Sequence, residues 1–473
     1  MEILINYITY ILFILLIGYY FITNLQWYSY RLNRVIFHHT KPLWNIIYFL
    51  VPFSAFEALT LAKLDFLKPI LLLIYGVALY LWYKKLDKPL VFTGRVKRFF
   101  IILFLVATFT FFIIKIPLII APLLISWLIS VGIEKMLFIG YQNQAQEKLE
   151  SMKDLKIIGV TASYGKTSIK NYLKTLLEQK FKVYATPRSV NTLGGIVKDV
   201  NEDLPQDTQI YIAEMGAREE GDIYEITKFL NPHYAIVGVI GPAHIEYFKT
   251  LEKIRNTKME IIKSDRLKKA WVHISANVKS TNPKIELFGH DIKDIKADLN
   301  GVCFSLDNEY YCAKVLGSFN AINLAAAIKV AKELGLSQEE IKRGLEKIEP
   351  TPHRLQKIEA GGKIIIDDSF NGNIEGMKEA FKLASTHNGR KVLITPGLVE
   401  VDDKLNIEIA KEANRIFDLI VVTGELNYPI FKEYIDSKKL IHLKDKSNFE
   451  EFLAENTKEG DLILFANDAP SFI

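Results

Sequence analysis

The sequence predicts an α-helical multi-span membrane domain followed by two α/β domains, the first a P-loop-type parallel sheet of the ATPase kind and the second Rossmann-like. Three observations predict it. Residues 1–134 are apolar with charges confined to short islands, whereas residues 135–473 have the mixed composition of a soluble protein. Beyond that divide, short β-branched runs alternate with helical periodicity, the signature of a parallel sheet flanked by helices. Pro350-Thr351-Pro352 then interrupts the alternation, because proline blocks helix continuation and stiffens a connection. The expected domains are 1–134, 135–350 and 351–473, with a cleft between the last two.

Five apolar segments, at about 5–23, 43–62, 67–83, 98–115 and 117–134, each approach the roughly 20 residues needed to cross a bilayer. The first lacks a basic flank and is followed by further spans, so it is not read as a cleavable signal. Pro52 and Glu57 interrupt the second, for which a hydrophobic hairpin lying in the interface is the alternative. Basic residues set the orientation. Arg31, Arg34 and Lys41 follow the first span, and Lys84, Lys85, Lys88, Arg95, Lys97 and Arg98 follow the third. The loop between the second and third has only Lys63, Asp65 and Lys68. Placing both basic islands in the cytoplasm puts the N-terminus outside, makes Lys115-Ile116-Pro117 an outer turn and leaves residue 135 onward in the cytoplasm. Trp27, Trp44 and Trp82 fall near the boundaries, as interfacial aromatics do.

A formal net charge of +5 is mild, and no basic–aromatic pattern points to nucleic acid. Cys303 and Cys312 are too far apart for a paired metal knuckle, and are expected as two reduced thiols with no disulfide framework.

In the first soluble domain the expected strands are Lys156–Val160, Gln209–Ala213 and Ala235–Val239. The first runs into Thr161-Ala162-Ser163-Tyr164-Gly165-Lys166-Thr167-Ser168, and a helix follows with Ile169, Tyr172, Leu173, Leu176 and Leu177 on one face. That layout suits a triphosphate. Backbone N–H groups of Gly165 to Ser168 and the positive helix end face the phosphates, Lys166 supplies a point charge, and Thr167 offers a hydroxyl to Mg²⁺. An ordinary strand–turn–helix with an exposed lysine is the alternative.

Polar groups recur at further strand ends. Glu214 closes a hydrophobic strand beside the loop, which is how a carboxylate commonly holds Mg²⁺; a solvated acid is the alternative. His244 closes another, where a lone histidine is more often structural. Asn320 and Asn323 open an alanine-rich helix, or Ser318 or Asn320 simply caps it. In the second soluble domain the strands are Lys363–Asp367, Lys391–Thr395, Leu419–Thr423 and Asp461–Phe465. The first of these ends in Asp367-Asp368-Ser369-Phe370-Asn371-Gly372-Asn373, a polar turn where parallel sheets place ligands.

Taken in this order, these motifs resemble the Mur ligase family, whose members form amide bonds in building the peptide stem of peptidoglycan. The resemblance covers roughly residues 155–473. Glu214-Met215-Gly216-Ala217, Asp367–Asn373 and the loop Pro187–Gly195 look most like the forms found in the activity that adds D-alanyl-D-alanine to UDP-N-acetylmuramoyl-tripeptide. The resemblance implies ATP and Mg²⁺ as cofactors, Lys166 on the terminal phosphates, and Thr167, Glu214 and His244 on the metal. It implies that Lys258 is carbamylated to give a further metal ligand, with Lys166, Lys258 and His244 carrying catalysis. It further implies Asn320 and Asn323 near adenine, Arg354 and Asp368 reaching the nucleotide, and Asn191, Thr192, Asn371 and Asn373 facing substrate. Combined with the spans, it implies a multi-pass protein of the bacterial inner membrane. The lipid bilayer and membrane-bound cell-wall enzymes are its expected partners.

Three departures from the family pattern stand out. Ala162 replaces a usual glycine and Phe319 a usual histidine, and the family's soluble N-terminal domain that holds the UDP-sugar has no counterpart. Two other functions are therefore carried forward: a ligase of the same superfamily acting on a lipid-linked carboxylate, and a membrane scaffold with an ATPase-like domain.

Overall fold

The computed structural model describes residues 2–28, 30–37, 41–86, 88–114, 119–242, 248–279, 281–370, 374–398, 403–444 and 449–467. Contacts divide the chain into two units, Met1–Asn143 and Gln144–Ile473.

Among the described residues five helices are long and apolar enough to cross a membrane: Ile3–Trp27, Pro42–Leu61, Asp65–Tyr83 and Gly94–Ile113 in the first unit, and Ile120–Ser151, which begins there and ends past Asn143. All five expected segments are thus helical. The turn expected at Lys115-Ile116-Pro117 lies outside the described residues. Pro52 does not break the second helix, because the turn before it, Ile46–Leu50, is a π turn that accommodates the missing N–H. Glu57 in the same helix accepts hydrogen bonds from the backbone N–H groups of Ile119 at 2.7 Å and Ile120 at 3.2 Å, capping the last helix. That helix runs to Ser151 rather than ending near 134, since Gln, Glu, Lys and Ala between 141 and 151 are all tolerated helix formers. The packed interior of this unit is aromatic, with Phe13, Tyr20, Phe56, Tyr75, Trp82 and Phe99 buried.

Among its described residues the second unit holds fifteen strands. In chain order they are β1 (Lys156–Thr161), β2 (Val183–Ala185), β3 (Ile210–Glu214), β4 (Tyr234–Val237), β5 (Lys269–His273) and β6 (Ile285–Phe288). Then come β7 (Ile292–Asp298), β8 (Gly301–Leu306), β9 (Glu309–Ala313), β10 (Gln356–Ala360) and β11 (Lys363–Asp368). The last are β12 (Lys391–Thr395), β13 (Leu419–Thr423), β14 (Leu440–Leu443) and β15 (Leu462–Ala466). One six-stranded sheet has the order β2-β3-β1-β4-β5-β6 and is parallel throughout. The other, β10-β11-β15-β12-β13-β14, is parallel except for the β10–β11 hairpin. Central strands β3, β4, β13 and β15 are buried along their whole length, as a sheet covered on both faces requires.

In the first sheet the chain leaves β1 for β2 and β3 on one side and returns to β4 on the other. The carboxyl ends of β1, β3 and β4 therefore border a switch-point crevice, where such sheets bind ligands. The helix Lys166–Leu177 packs the five apolar residues expected of it into the core, against the alanine-rich helix Phe319–Glu333.

A third, antiparallel sheet, β7-β8-β9, escaped the sequence reading. Its β8–β9 turn puts Asp307 and Asn308 at φ 52° and 62°, the two left-handed residues a tight hairpin needs. The same hairpin corrects the reading of the cysteines. Cys303 and Cys312 oppose one another in register and form a disulfide, so they are not two separate thiols.

Candidate active site

β1 leads into Ala162-Ser163-Tyr164-Gly165, and the helix Lys166–Leu177 starts directly afterwards. Gly165 has φ 79°, and a Cβ there would lie 2.5 Å from Asn323 Oδ1, so both backbone and neighbour demand glycine. Ala162 is buried without a positive φ, and needs no glycine. Ser163 ties the loop to the end of β4, its N–H donating to Val239 O and its Oγ to Gly241 O, each at 2.9 Å. Lys166 folds over the loop and donates to Ala162 O at 2.9 Å and Ser163 O at 3.3 Å. Burial pushes its ammonium pKa down, and Glu214 opposes that shift.

Glu214 ends β3 and is 1% exposed. Its Oε2 accepts from Thr167 Oγ1 at 3.0 Å and lies 3.4 Å from Lys170 Nζ, while its Oε1 accepts from Asn191 Nδ2 at 3.1 Å. Lys258, near the end of the helix Leu251–Met259, is 3% exposed. Desolvation brings its pKa down to about 7, helped by repulsion from Lys166 and opposed by Asp222, Glu214 and Glu260. A substantial neutral fraction near pH 7 is what an amine needs before it can react with CO₂. Glu260 in turn accepts from the N–H groups of Gly221 at 2.8 Å and Tyr224 at 2.9 Å, fixing the segment that follows Glu214.

The turn before β10 contributes Arg354, and the end of β11 contributes Asp368. Arg354 feels the charges of Glu214 and Asp368, and burial lowers its pKa. Its guanidinium lies over the ring of Phe370, 5.0 Å from the centroid. Asp368 accepts from Leu355 N–H at 3.2 Å, and desolvation raises its pKa to about 7. Thr351 Oγ1 meets Ser168 Oγ at 3.5 Å and Glu379 accepts from Ser318 N–H at 2.6 Å, so both sheets' segments meet beside the loop.

Asn320 and Asn323 sit behind the loop, each 3% exposed. Asn320 Oδ1 accepts from Tyr172 OH at 3.1 Å and Asn323 Nδ2 at 2.9 Å, and its own amide donates to Leu316 O at 2.7 Å. In this arrangement they brace Gly165 and the phosphate-loop helix. Thr192 caps the helix Leu193–Glu202, accepting from Gly195 N–H at 3.3 Å. His244, Asn371 and Asn373 lie outside the described residues. The sequence reading missed Lys170, Glu260 and Asp199, the last a buried acid accepting from Tyr184 OH at 2.6 Å and Tyr211 OH at 2.7 Å. A signal existed for Lys170, four residues beyond Lys166 on the same helix. The helix's apolar face dominates its pattern and hides the lysine among the polar positions.

Among the described residues, no group of three or more His, Cys, Asp or Glu is gathered as a metal cage. The donors nevertheless suit Mg²⁺, which is commonly held by one or two carboxylates with substrate phosphates and water completing the shell. Glu214 paired with the Thr167 hydroxyl at the head of a phosphate-loop helix is such a set.

A glycine–lysine–threonine loop of phosphate-loop form, a carboxylate–hydroxyl pair suited to a cation, a buried amine of lowered pKa and a second α/β segment reaching the same carboxylate fit one class, an ATP-dependent ligase. Residues 160–331 match the Mur ligase middle domain, and the chain is an ATP-dependent enzyme that forms peptide bonds. A UDP-N-acetylmuramoyl-tripeptide–D-alanyl-D-alanine ligase of Bacillus subtilis (strain 168) is 27% identical over 333 residues, covering 66% of this chain and 72% of the relative. One of the same name from Borreliella burgdorferi is 26% identical over 63% of this chain and 68% of its own. A crystal structure of the MurF ligase of Thermotoga maritima in complex with ADP superposes with a TM-score of 0.59 at 26% identity, over 69% of this chain and 80% of that one. The corresponding Acinetobacter baumannii ligase shares the fold, with a TM-score of 0.64 at 24% identity over 70% of this chain and 76% of that one.

Proposed function

We propose that this protein joins D-alanyl-D-alanine to UDP-N-acetylmuramoyl-tripeptide at the expense of ATP, as the named activity of its relatives does. The observation that supports this most is the convergence of Thr167, Glu214, Lys166 and Lys258 from the first sheet with Arg354 from the second. In the first step a carboxylate oxygen of the tripeptide attacks the γ-phosphorus of ATP. The bond to the β,γ-bridging oxygen breaks, giving an acyl phosphate and ADP. In the second the amine of D-alanyl-D-alanine attacks the acyl carbon, inorganic phosphate departs with the C–O bond electrons, and the amine proton is lost to solvent or a nearby base. Lys166 and Arg354 offset charge on the transferring phosphoryl group, and the cleft between the two sheets excludes water that would hydrolyse the acyl phosphate. When bound, Mg²⁺ would neutralise phosphate charge, held by Thr167 and Glu214 with His244 and a carbamylated Lys258 as further ligands. Asn320, Asn323 and Asp368 lie on the nucleotide side in this reading. Asn191, Thr192, Asn371 and Asn373 are the residues this reading assigns to the muramoyl substrate.

The five apolar helices support a multi-pass placement in the bacterial inner membrane, with the N-terminus outside and the ligase domains in the cytoplasm, near membrane-bound cell-wall enzymes. They also favour a second reading, a lipid-linked rather than UDP-linked muramoyl tripeptide.

The test is ADP release by the purified full chain in detergent, with D-alanyl-D-alanine and either acceptor. ADP release requiring both the dipeptide and the UDP-linked tripeptide is expected. Lys166→Ala should lower it by roughly a thousandfold or more, the scale of lost transition-state charge stabilisation. Turnover with the lipid-linked acceptor alone would replace the first reading by the second. ATP binding without turnover on either would leave the scaffold.

A further inference from the structure

Lys170 lies one helical turn beyond Lys166 and is 1% exposed. Its ammonium donates to Thr186 O at 2.7 Å and Arg188 O at 2.6 Å, and stands 3.4 Å from Glu214 Oε2. Three donors thus meet three acceptors. Two are backbone carbonyls of the segment 186–192 that follows β2, and the third is the carboxylate of the candidate cation site.

The same segment is tied to Glu214 from other directions. Asn191 Nδ2 donates to Glu214 Oε1 at 3.1 Å, Glu214 N–H donates to Thr186 Oγ1 at 3.1 Å, and Gly216 N–H donates to Asn191 O at 2.8 Å. Gly216 also leaves room for Asn191, whose Cγ would lie 2.7 Å from any Cβ at that position. The conformation held this way is not one the segment's own sequence prefers. Arg188 has φ 47°, a left-handed angle that a side chain with a Cβ disfavours, and its carbonyl is one of the two that Lys170 binds. Nothing in helix packing asks for a cation at a fully buried site, and burying one is costly unless its partners are all in place. A compact ammonium suits acceptors arriving from three directions, whereas a planar guanidinium does not.

We propose that Lys170 is a positioning residue that locks the segment 186–192 to Glu214, so that the surface presented to the muramoyl substrate is registered against the transferring phosphate. The proposal rests on the function given above for its substrate, but not for its geometry.

The test uses the detergent-solubilised full chain, as wild type, Lys170→Met and Asn191→Ala. In Lys170→Met, amide hydrogen exchange across residues 186–192 should rise by about tenfold or more while the helix Lys166–Leu177 keeps its protection. ADP affinity, measured by calorimetry with Mg²⁺ present, should stay within about threefold. KM for UDP-N-acetylmuramoyl-tripeptide should rise about tenfold or more, with KM for ATP changing far less, a split that general destabilisation does not produce. Asn191→Ala cuts the lock at its half-exposed end and should raise exchange across the segment by a smaller factor, a readout independent of substrate contact that decides the matter should Lys170→Met fail to fold. Unchanged exchange in the segment, or equal rises in both KM values, overturns the proposal. If the wild type does not turn over the tripeptide, the proposed function fails, while exchange and ADP binding still judge Lys170.

Discussion

The two units bury polar groups in opposite ways. In the helical unit most are neutral groups satisfied one at a time: Thr23 donates to Tyr19 O, Asn24 to Tyr20 O and Thr60 to Phe56 O, each four residues back on its own helix. Between helices, Tyr10 OH meets Thr110 Oγ1 at 3.2 Å and Tyr75 OH donates to Tyr48 O at 2.9 Å. Lys68, a buried lysine of this unit, pairs with Asp65 at 2.7 Å in the adjoining turn. In the ligase unit, buried charges converge from distant strands and helices. Lys170, Glu214, Lys258 and Glu260 are all under 9% exposed, and each interacts with another of the set or with a backbone brought in from elsewhere. Single bonds between neutral groups keep helices intact and packed where water is scarce. Convergent, mutually perturbing charge is costly, and active sites are where it is tolerated. The contrast thus separates structural polarity from functional polarity within one chain.

The sharpest way to break that contrast is at Gly165, where backbone geometry and the site meet. Gly165→Ala forces a methyl against Asn323 and a left-handed angle on an L-residue. It should cost about 1–3 kcal/mol of ligase-unit stability and displace the loop enough to remove most ATP turnover. Adding Asn323→Ala should relieve the clash but not the φ penalty, so the double variant should recover only part of the loss. Thermal melting and ADP release on the full chain measure both. Full recovery would show that the clash alone required glycine.

That separation also explains what was legible beforehand. Residues 156–168 could be read because strand, turn and helix signals are local and consecutive there, and Glu214 because it terminates an apolar run beside them. Five apolar helices were readable from length and hydropathy alone. The small strands were not: β2 has three residues, and β7, β8 and β9 owe their existence to a hairpin turn and to packing beneath them. Lys170 was invisible for the same reason that it matters, since its partners lie 16 to 44 residues away, from Thr186 to Glu214. Asn320 and Asn323 show the converse. Their positions were legible, but their inward hydrogen bonds to Tyr172 and Leu316 depend on tertiary contacts.

A smaller effect tests the helical side of the comparison. Glu57→Ala leaves the Ile119 and Ile120 N–H groups without their acceptor and should cost about 1–3 kcal/mol. Helical unfolding followed by circular dichroism in detergent should move to lower temperature, with ADP release unchanged. Glu57→Gln keeps an acceptor oxygen and should melt close to wild type. A loss of ligase activity in Glu57→Ala would mean that this carboxylate is not a local cap after all.

The smallest effect lies inside the ligase unit but away from the site, at His233. Its Nδ1 accepts from Ile157 N–H at 3.0 Å, which requires a neutral ring, and the ring is half-buried. Desolvation, with Arg266, Lys268 and Lys156 nearby, lowers its pKa from 6.5 to about 4. Between those values the unfolded chain takes up a proton that the folded one refuses. The imidazole's contribution is therefore intact above pH 6.5 and drains away as the pH falls towards about 4. Partial exposure keeps the effect modest. His233→Asn can accept the same N–H through Oδ1 but does not titrate, so its melting temperature should fall less than wild type between pH 7 and 5. Parallel slopes for the two proteins would mean that the proton is taken up elsewhere. In that case this isolated polar group, unlike the convergent charges at the loop, has no part in the acid response.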